Sequence, residues 1–192
     1  PLPLTSDYSI QSISAFIRTF PNVGLMVCLG EALQGALYGV EWFNRTILAG
    51  VKKGLKDSEL KELPPIIVRA HAVPAEKVME AAIPHYDNLF TEAKYNGESL
   101  TTYTPRGRWQ TIHQHLSSLH SVHLFNVHIL ANLEPFRYGA PSFIQKCVQA
   151  AKYRLGCNGL RLYPLFYWDW PYSPDRVYPR LDQMERDWIW FA

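Results

Sequence analysis

Carboxylates and cations gather at the ends of apolar runs in this chain. Glu31 appears abruptly after Val23–Leu29 and Gly30. Arg69 and His71 lie toward the end of the run Ile66–Val73. Glu92 and Lys94 close Asn88–Lys94, and Tyr95, Asn96, Gly97 and Glu98 follow. Asn126 and His128 fall inside Val122–Leu130, with Asn132 and Glu134 beyond it. The stretch Trp168-Asp169-Trp170 follows Leu160–Tyr167. Carboxyl groups beside aromatic side chains suit glycosidic chemistry. One carboxylic acid protonates the leaving oxygen, and a second carboxylate activates water or attacks the sugar. Trp and Tyr faces stack on sugar rings and exclude water.

Each of these residues also has a purely structural use. Glu31 suits a salt bridge at a strand end, and His71 and His128 suit satisfied core positions. Glu92 and Lys94 share one strand face and can pair with each other. Asp169 can cap the next turn. His113, His115, His120 and His123 crowd one region, but the first two sit two apart on a helical pattern and do not face each other. No metal site and no cofactor is expected. Asn44-Arg45-Thr46 matches the N-glycosylation pattern, but it lies in mid-helix.

The elements that must hold these groups alternate in type. The five runs named above, bounded by turn residues such as Pro21-Asn22, Pro64-Pro65 and Asn158-Gly159, read as strands buried on both faces. Helical spacing covers Asp7–Phe20 (with Ser6 as N-cap), Tyr38–Leu55, Pro74–Ala82, Trp109–Leu119, Pro141–Leu155 and Arg180–Phe191. Glu76 and Glu80 point outward in the short helix Pro74–Ala82. Such alternation implies an α/β fold with parallel strands joined by right-handed crossovers. An open doubly wound sheet and a β/α barrel both fit. No Gly-x-Gly-x-x-Gly turn follows a strand, which leaves a dinucleotide site without support. The reading adopted is a section of a (β/α)8 TIM-type barrel, in which chemistry sits at the C-terminal strand ends. Residues 1–179 form the partial barrel, and 180–192 begin a C-terminal helical extension.

Composition narrows the partners. The 192 residues carry 19 Lys plus Arg against 17 Asp plus Glu, a net charge of +2 that argues against nucleic acid. The hydrophobic fraction of 47% with 19% charged residues describes a core-rich chain. No apolar run is long enough to span a membrane. Three cysteines are too few and odd in number for a disulfide framework. Cys28 reads as a buried thiol; a Cys147–Cys157 pair is open, with two free thiols the preferred reading. The chain opens Pro-Leu-Pro without Met, as a section of something longer would. Further chain of the same protein is expected to complete the barrel, and the section alone to aggregate. A periplasmic or secreted location is favoured over the cytoplasm.

The stretch Pro21-Asn22-Val23-Gly24-Leu25-Met26-Val27, through Gly30-Glu31-Ala32-Leu33-Gln34-Gly35, resembles the fourth strand of glycoside hydrolase family 67, the α-glucuronidases, and its Asp-Ser-Glu-Gly-Gln end. Ile67-Val68-Arg69-Ala70-His71-Ala72 is similar to that family's fifth strand. Glu92-Ala93-Lys94-Tyr95-Asn96-Gly97, with Tyr103-Thr104-Pro105-Arg106, resembles its sixth-strand region. The resemblance covers Pro21–Arg108 and implies that the five strands are the fourth to eighth of a barrel. It places the catalytic acid on Glu31. It does not transfer the second carboxylate, because Gly107 follows Arg106 where the family has Glu.

The expectation is a glycoside hydrolase, α-glucuronidase-like, acting on an oligosaccharide or polysaccharide of acidic or plant type. Glu31 is the general acid, its carboxyl kept protonated by apolar surroundings. The base is Glu92, Glu98 or Asp169, with Glu92 preferred for its place at a strand end. Arg69, Lys94 and Arg106 contact a sugar carboxylate, which Arg binds bidentately. His71, Asn96, Glu98 and His128 line the substrate site, and Trp168 and Trp170 stack. One rival is a carbohydrate-binding barrel without activity, favoured by the missing glutamate. Another is a barrel lyase in which Lys94, His71 or Tyr95 abstracts a proton.

Overall fold

The computed structural model describes residues 2–30, 36–56, 58–97, 102–119, 121–127 and 141–162. Glu31, Glu98, His128, Trp168, Asp169, Trp170 and the expected helix at 180–192 lie outside the described residues. The chain divides into two compact units, Pro1–Glu92 with Ser118–Val122, and Ala93–Ser117 with His123–Ala192.

The first unit opens with α1 (Pro3–Thr19). Pro3 suits the first helical position because its missing N–H would have had no partner there. Arg18 in the last turn favours the negative end of the helix dipole. Ser6 is therefore not the cap that its type suggests. It sits inside the first turn, with its hydroxyl 2.6 Å from that of Thr46. The next helical stretch runs as α2 (Ala36–Trp42), a π-helical segment (Phe43–Leu48) and α3 (Ala49–Leu55). Thr46 is fully buried in it, so Asn44-Arg45-Thr46 is a packed helical segment and not an exposed sugar acceptor.

Helix α3 packs on α1 through two glycines. A Cβ on Gly50 would come within 2.9 Å of Ile13 Cβ. One on Gly54 would meet Ile17 Cβ at 2.7 Å and the Ser14 carbonyl at 2.8 Å. Hydrogen in place of a side chain lets the two backbones approach, and Ile17 is then completely buried. Helix α4 (Ala75–Ala82) buries Ala75, Val78, Met79 and Ala82 and packs against α2, with Glu80 exposed on its far side.

Strands β1 (Leu25–Cys28), β2 (Ile66–Arg69) and β3 (Leu89–Lys94) pair in parallel in chain order. Ile66 and Val68 of β2 are buried, whereas Ile67 and Arg69, on the other face, are half-buried. In register with them stand Met26 and Cys28 of β1 and Phe90 and Glu92 of β3. The expectation of strands buried on both faces therefore fails at β1, an edge strand. Met26 is 40% exposed, and Cys28 is exposed and not a buried thiol. The unit's open sheet face thus runs from exposed apolar side chains to a fully buried carboxylate.

The second unit holds β4 (Val122–Val127) from His123 onward and β5 (Gly159–Leu162), paired in parallel, with α5 (Arg108–Ser118) and α6 (Pro141–Arg154). Its core joins Tyr95, Phe125, Cys147, Ala151, Leu155 and Cys157. Gly156 turns the chain after α6 in the left-handed region, at φ 73°, as the stop signal predicts. The strands follow the order β1-β2-β3-β4-β5 in one sheet. A doubly wound sheet reverses its order at a switch point. This sheet does not reverse, so it is singly wound.

Candidate functional site

Parallel pairing brings Arg69 and Glu92 side by side at the C-terminal ends of β2 and β3. The Ala70 N–H donates to the Glu92 carbonyl at 2.7 Å, which locks the two strand ends together. The Arg69 Nε then lies 3.4 Å from Glu92 Oε1, with the carboxylate side chain fully buried and the arginine 16% exposed. Arg69 Nε makes no hydrogen bond of ordinary geometry, so this contact is an ion pair at its long end. The sequence brings out both residues, one as a base and one as a sugar ligand, but not their partnership.

The chain turns sharply after Arg69. β2 stops there and does not run on to Val73. The His71 N–H donates to the Arg69 carbonyl at 2.9 Å, and Ala72 adopts φ 62°. A left-handed alanine is strained, and such strain persists only where neighbouring structure holds it. His71 therefore sits in a bent loop, half-buried, and not on a strand.

In the second unit, Lys94 is buried, Asn96 is half-buried and Arg106 is exposed. Tyr95 turns into the core. Its hydroxyl donates to the Tyr103 carbonyl at 2.7 Å and lies 3.0 Å from that of Cys147. Burial raises its pKa well above the ordinary tyrosine value. A phenol so placed cannot abstract a substrate proton, which removes Tyr95 from the lyase reading. On β4, the Asn126 carbonyl accepts the Tyr95 N–H at 2.8 Å. The Asn126 side chain is fully buried, yet neither its Oδ1 nor its Nδ2 has a hydrogen-bond partner among the described residues. An orphaned buried amide is costly and calls for an explanation beyond packing.

A cluster that sequence reasoning set aside lies deeper. His113 of α5, His123 of β4 and Cys157, which follows α6, bring Nδ1, Nε2 and Sγ within 4.8 Å of one another, and all three residues are buried. Reading the histidines along one helix set them aside, because His113 and His115 are two apart and do not face each other; His115 is indeed exposed, while His113 is buried. The pair that meets joins a helix to the next strand, which lies against it. His113 Nδ1 is 2.9 Å from His123 Nε2 and 3.9 Å from Cys157 Sγ. His113 Nε2 is 3.0 Å from the Tyr95 carbonyl, to which it can only donate. Burial lowers the His113 pKa, opposed by its hydrogen bonds to backbone. Burial pushes the Cys157 thiol up to about 11. The Ser117 hydroxyl, buried and without a hydrogen bond of ordinary geometry, lies close enough to the thiol to oppose that rise.

No family model matches the chain, and no curated protein matches it. Among solved structures it is similar to a GH138 enzyme targeting pectin rhamnogalacturonan II. The two are 52% identical with a TM-score of 0.88, over 100% of this chain and 28% of that one. The chain thus spans 28% of the length of the structure that it matches. This finding corrects the resemblance to family 67, because the similar protein carries another family number. The similar structure is also a glycoside hydrolase, so the short gapped blocks around strand ends agree with it in class and not in family.

Proposed function

We propose that this chain is a catalytic-domain section of a glycoside hydrolase that acts on a pectin-type plant polysaccharide. The observation that carries the reading is the 52% identity to a GH138 enzyme over 100% of the chain. The singly wound parallel sheet supports it, because sequential strand order is what a (β/α)8 barrel requires of five consecutive strands. In this reading further chain completes the barrel. A polymeric substrate favours a periplasmic or secreted location in this reading.

Glu31 donates a proton to the leaving oxygen. Glu92, ion-paired and closed to solvent, holds Arg69 at the rim as a positioning residue. The base then falls to Asp169, between the two stacking tryptophans Trp168 and Trp170. Arg69, with Lys94 and Arg106 from the next strand and its loop, favours an acidic sugar in the substrate. Pectic glycans supply uronic acids, and Arg binds a carboxylate in two places at once. Glu98, His71, Asn96 and His128 complete the sugar contacts.

The test is to incubate the intact protein with rhamnogalacturonan II oligosaccharides and follow the release of sugar by chromatography. Cleavage at one linkage, with neutral plant glycans untouched, supports the reading. Intact protein that binds these oligosaccharides without cleaving any of them supports the carbohydrate-binding rival instead.

A further inference from the structure

We propose that His113, His123 and Cys157 form a buried zinc site. Two imidazole nitrogens and one thiolate suit a borderline-soft ion such as Zn²⁺ and do not suit Mg²⁺ or Ca²⁺. The three donors come from α5, β4 and the turn after α6, so an ion held by them would tie together the principal elements of the second unit.

The His113 Nε2 faces the Tyr95 carbonyl at 3.0 Å and must carry the proton. Nδ1 is then the ring's lone pair, and it points at His123 Nε2 and Cys157 Sγ. A ligating histidine usually has its other ring N–H donated to a carbonyl or carboxylate, which fixes the ring and raises its basicity. His113 has that arrangement.

Zinc bond lengths in a tetrahedron place two nitrogens about 3.3 Å apart, and nitrogen and sulfur about 3.6 Å apart. His113 Nδ1 and His123 Nε2 stand 2.9 Å apart, and His113 Nδ1 and Cys157 Sγ 3.9 Å, so these two separations need to change only by a few tenths of an ångström, while the donors of His123 and Cys157 lie within 4.8 Å and close on the ion as it binds. Binding releases the Cys157 thiol proton. It also replaces the His113–His123 hydrogen bond, as His123 moves its ring proton to Nδ1. Three protein ligands leave a fourth coordination position on a tetrahedral ion. The ion's role is structural, because the cluster lies in the core among Tyr95, Phe125 and Leu155.

The test uses the intact protein, purified without chelators or nickel columns. Zinc is measured by mass spectrometry after exhaustive dialysis, in wild type, Cys157→Ser and Cys28→Ser. The expected result is about one zinc more per molecule in wild type than in Cys157→Ser, with Cys28→Ser like wild type. Because Cys157→Ser can itself misfold, the wild type is also stripped and reloaded with cobalt. A thiolate-to-cobalt charge-transfer band with strong tetrahedral visible bands is expected. Equal zinc in wild type and Cys157→Ser, or cobalt loading without a thiolate band, overturns the site. Neither measurement depends on cleavage of any glycan, so this inference and the proposed activity fail separately.

Discussion

Arg69 and Glu92 occupy matched positions on adjacent parallel strands, and their side chains meet at 3.4 Å with the carboxylate wholly buried. Removing the cation takes a positively charged partner away from a buried carboxylate. Breaking such a pair costs on the order of 3 kcal/mol or more, whereas replacing both members with apolar groups of similar size is often neutral. Arg69→Met is therefore expected to destabilise the protein by about 3 kcal/mol, and Arg69→Met with Glu92→Leu to recover most of that. Urea unfolding of the single and double variants checks this. A single variant as stable as wild type would show that the pair does not hold the strand ends.

Gly54 faces the Ser14 carbonyl, and backbone cannot yield as a flexible side chain can. Alanine is the better helix former by about 1 kcal/mol, so propensity alone predicts that Gly54→Ala stabilises. The added methyl would lie 2.7 Å from Ile17 Cβ and 2.8 Å from the Ser14 oxygen. Overpacking of this kind costs about 1–3 kcal/mol. A lower melting temperature for Gly54→Ala is expected, and a rise would mean that α1 and α3 move apart freely.

Asn126 separates stability from binding. Its amide is buried with both ends unpaired among the described residues, so it is a cost to the folded chain. Replacing an unsatisfied buried polar group with an apolar one of similar shape is neutral or stabilising. Asn126→Leu is expected to unfold no earlier than wild type. If the amide meets the sugar, the same variant should bind substrate about tenfold or more weakly, a loss of ~1.5 kcal/mol for one hydrogen bond. Calorimetric binding together with a thermal melt reads both quantities. A destabilised variant with unchanged affinity would make Asn126 a structural residue.

Thiol chemistry should follow burial. Cys28 is exposed, whereas Cys147 and Cys157 are buried, and burial pushes the Cys147 thiol up to about 12. Thiolates are the reacting species. Brief iodoacetamide treatment of the native protein near pH 8, followed by peptide mapping, should label Cys28 and leave Cys147 and Cys157 intact until denaturant is added. Labelling of Cys157 at the rate of Cys28 would show that the core around it opens readily.

The regular elements were legible because their signals are local. Alternation of short apolar runs with 3.6-residue spacing located all five strands and the helices among the described residues, and the run around Leu89 ends at Lys94 as read. Strand β2 ends four residues earlier than its apolar run, where the His71 N–H turns back to the Arg69 carbonyl and Ala72 takes a positive φ, a bend that apolar periodicity does not encode. Cys28 reads as core by its neighbours, but an edge strand leaves one of its faces uncovered. The Arg69–Glu92 pair and the His113–His123–Cys157 cluster were hidden for one reason. Each joins residues 10 to 44 positions apart, through strand register or helix-on-strand packing. Residue types at strand ends pointed to the class of chemistry, because a class depends on types. Family and partnership depend on geometry.

The central claim is that Glu31 acts as the general acid of a glycoside hydrolase. Glu31→Gln keeps the side chain's size and removes its proton. In the intact protein, turnover of the natural oligosaccharide, with its poor leaving group, should fall by ~10²–10⁴. An aryl glycoside with an acidic leaving group should lose far less, because it needs no protonation. Equal retention of both rates would contradict the assignment of Glu31, and equal loss of both would give it a structural role and not that of a proton donor.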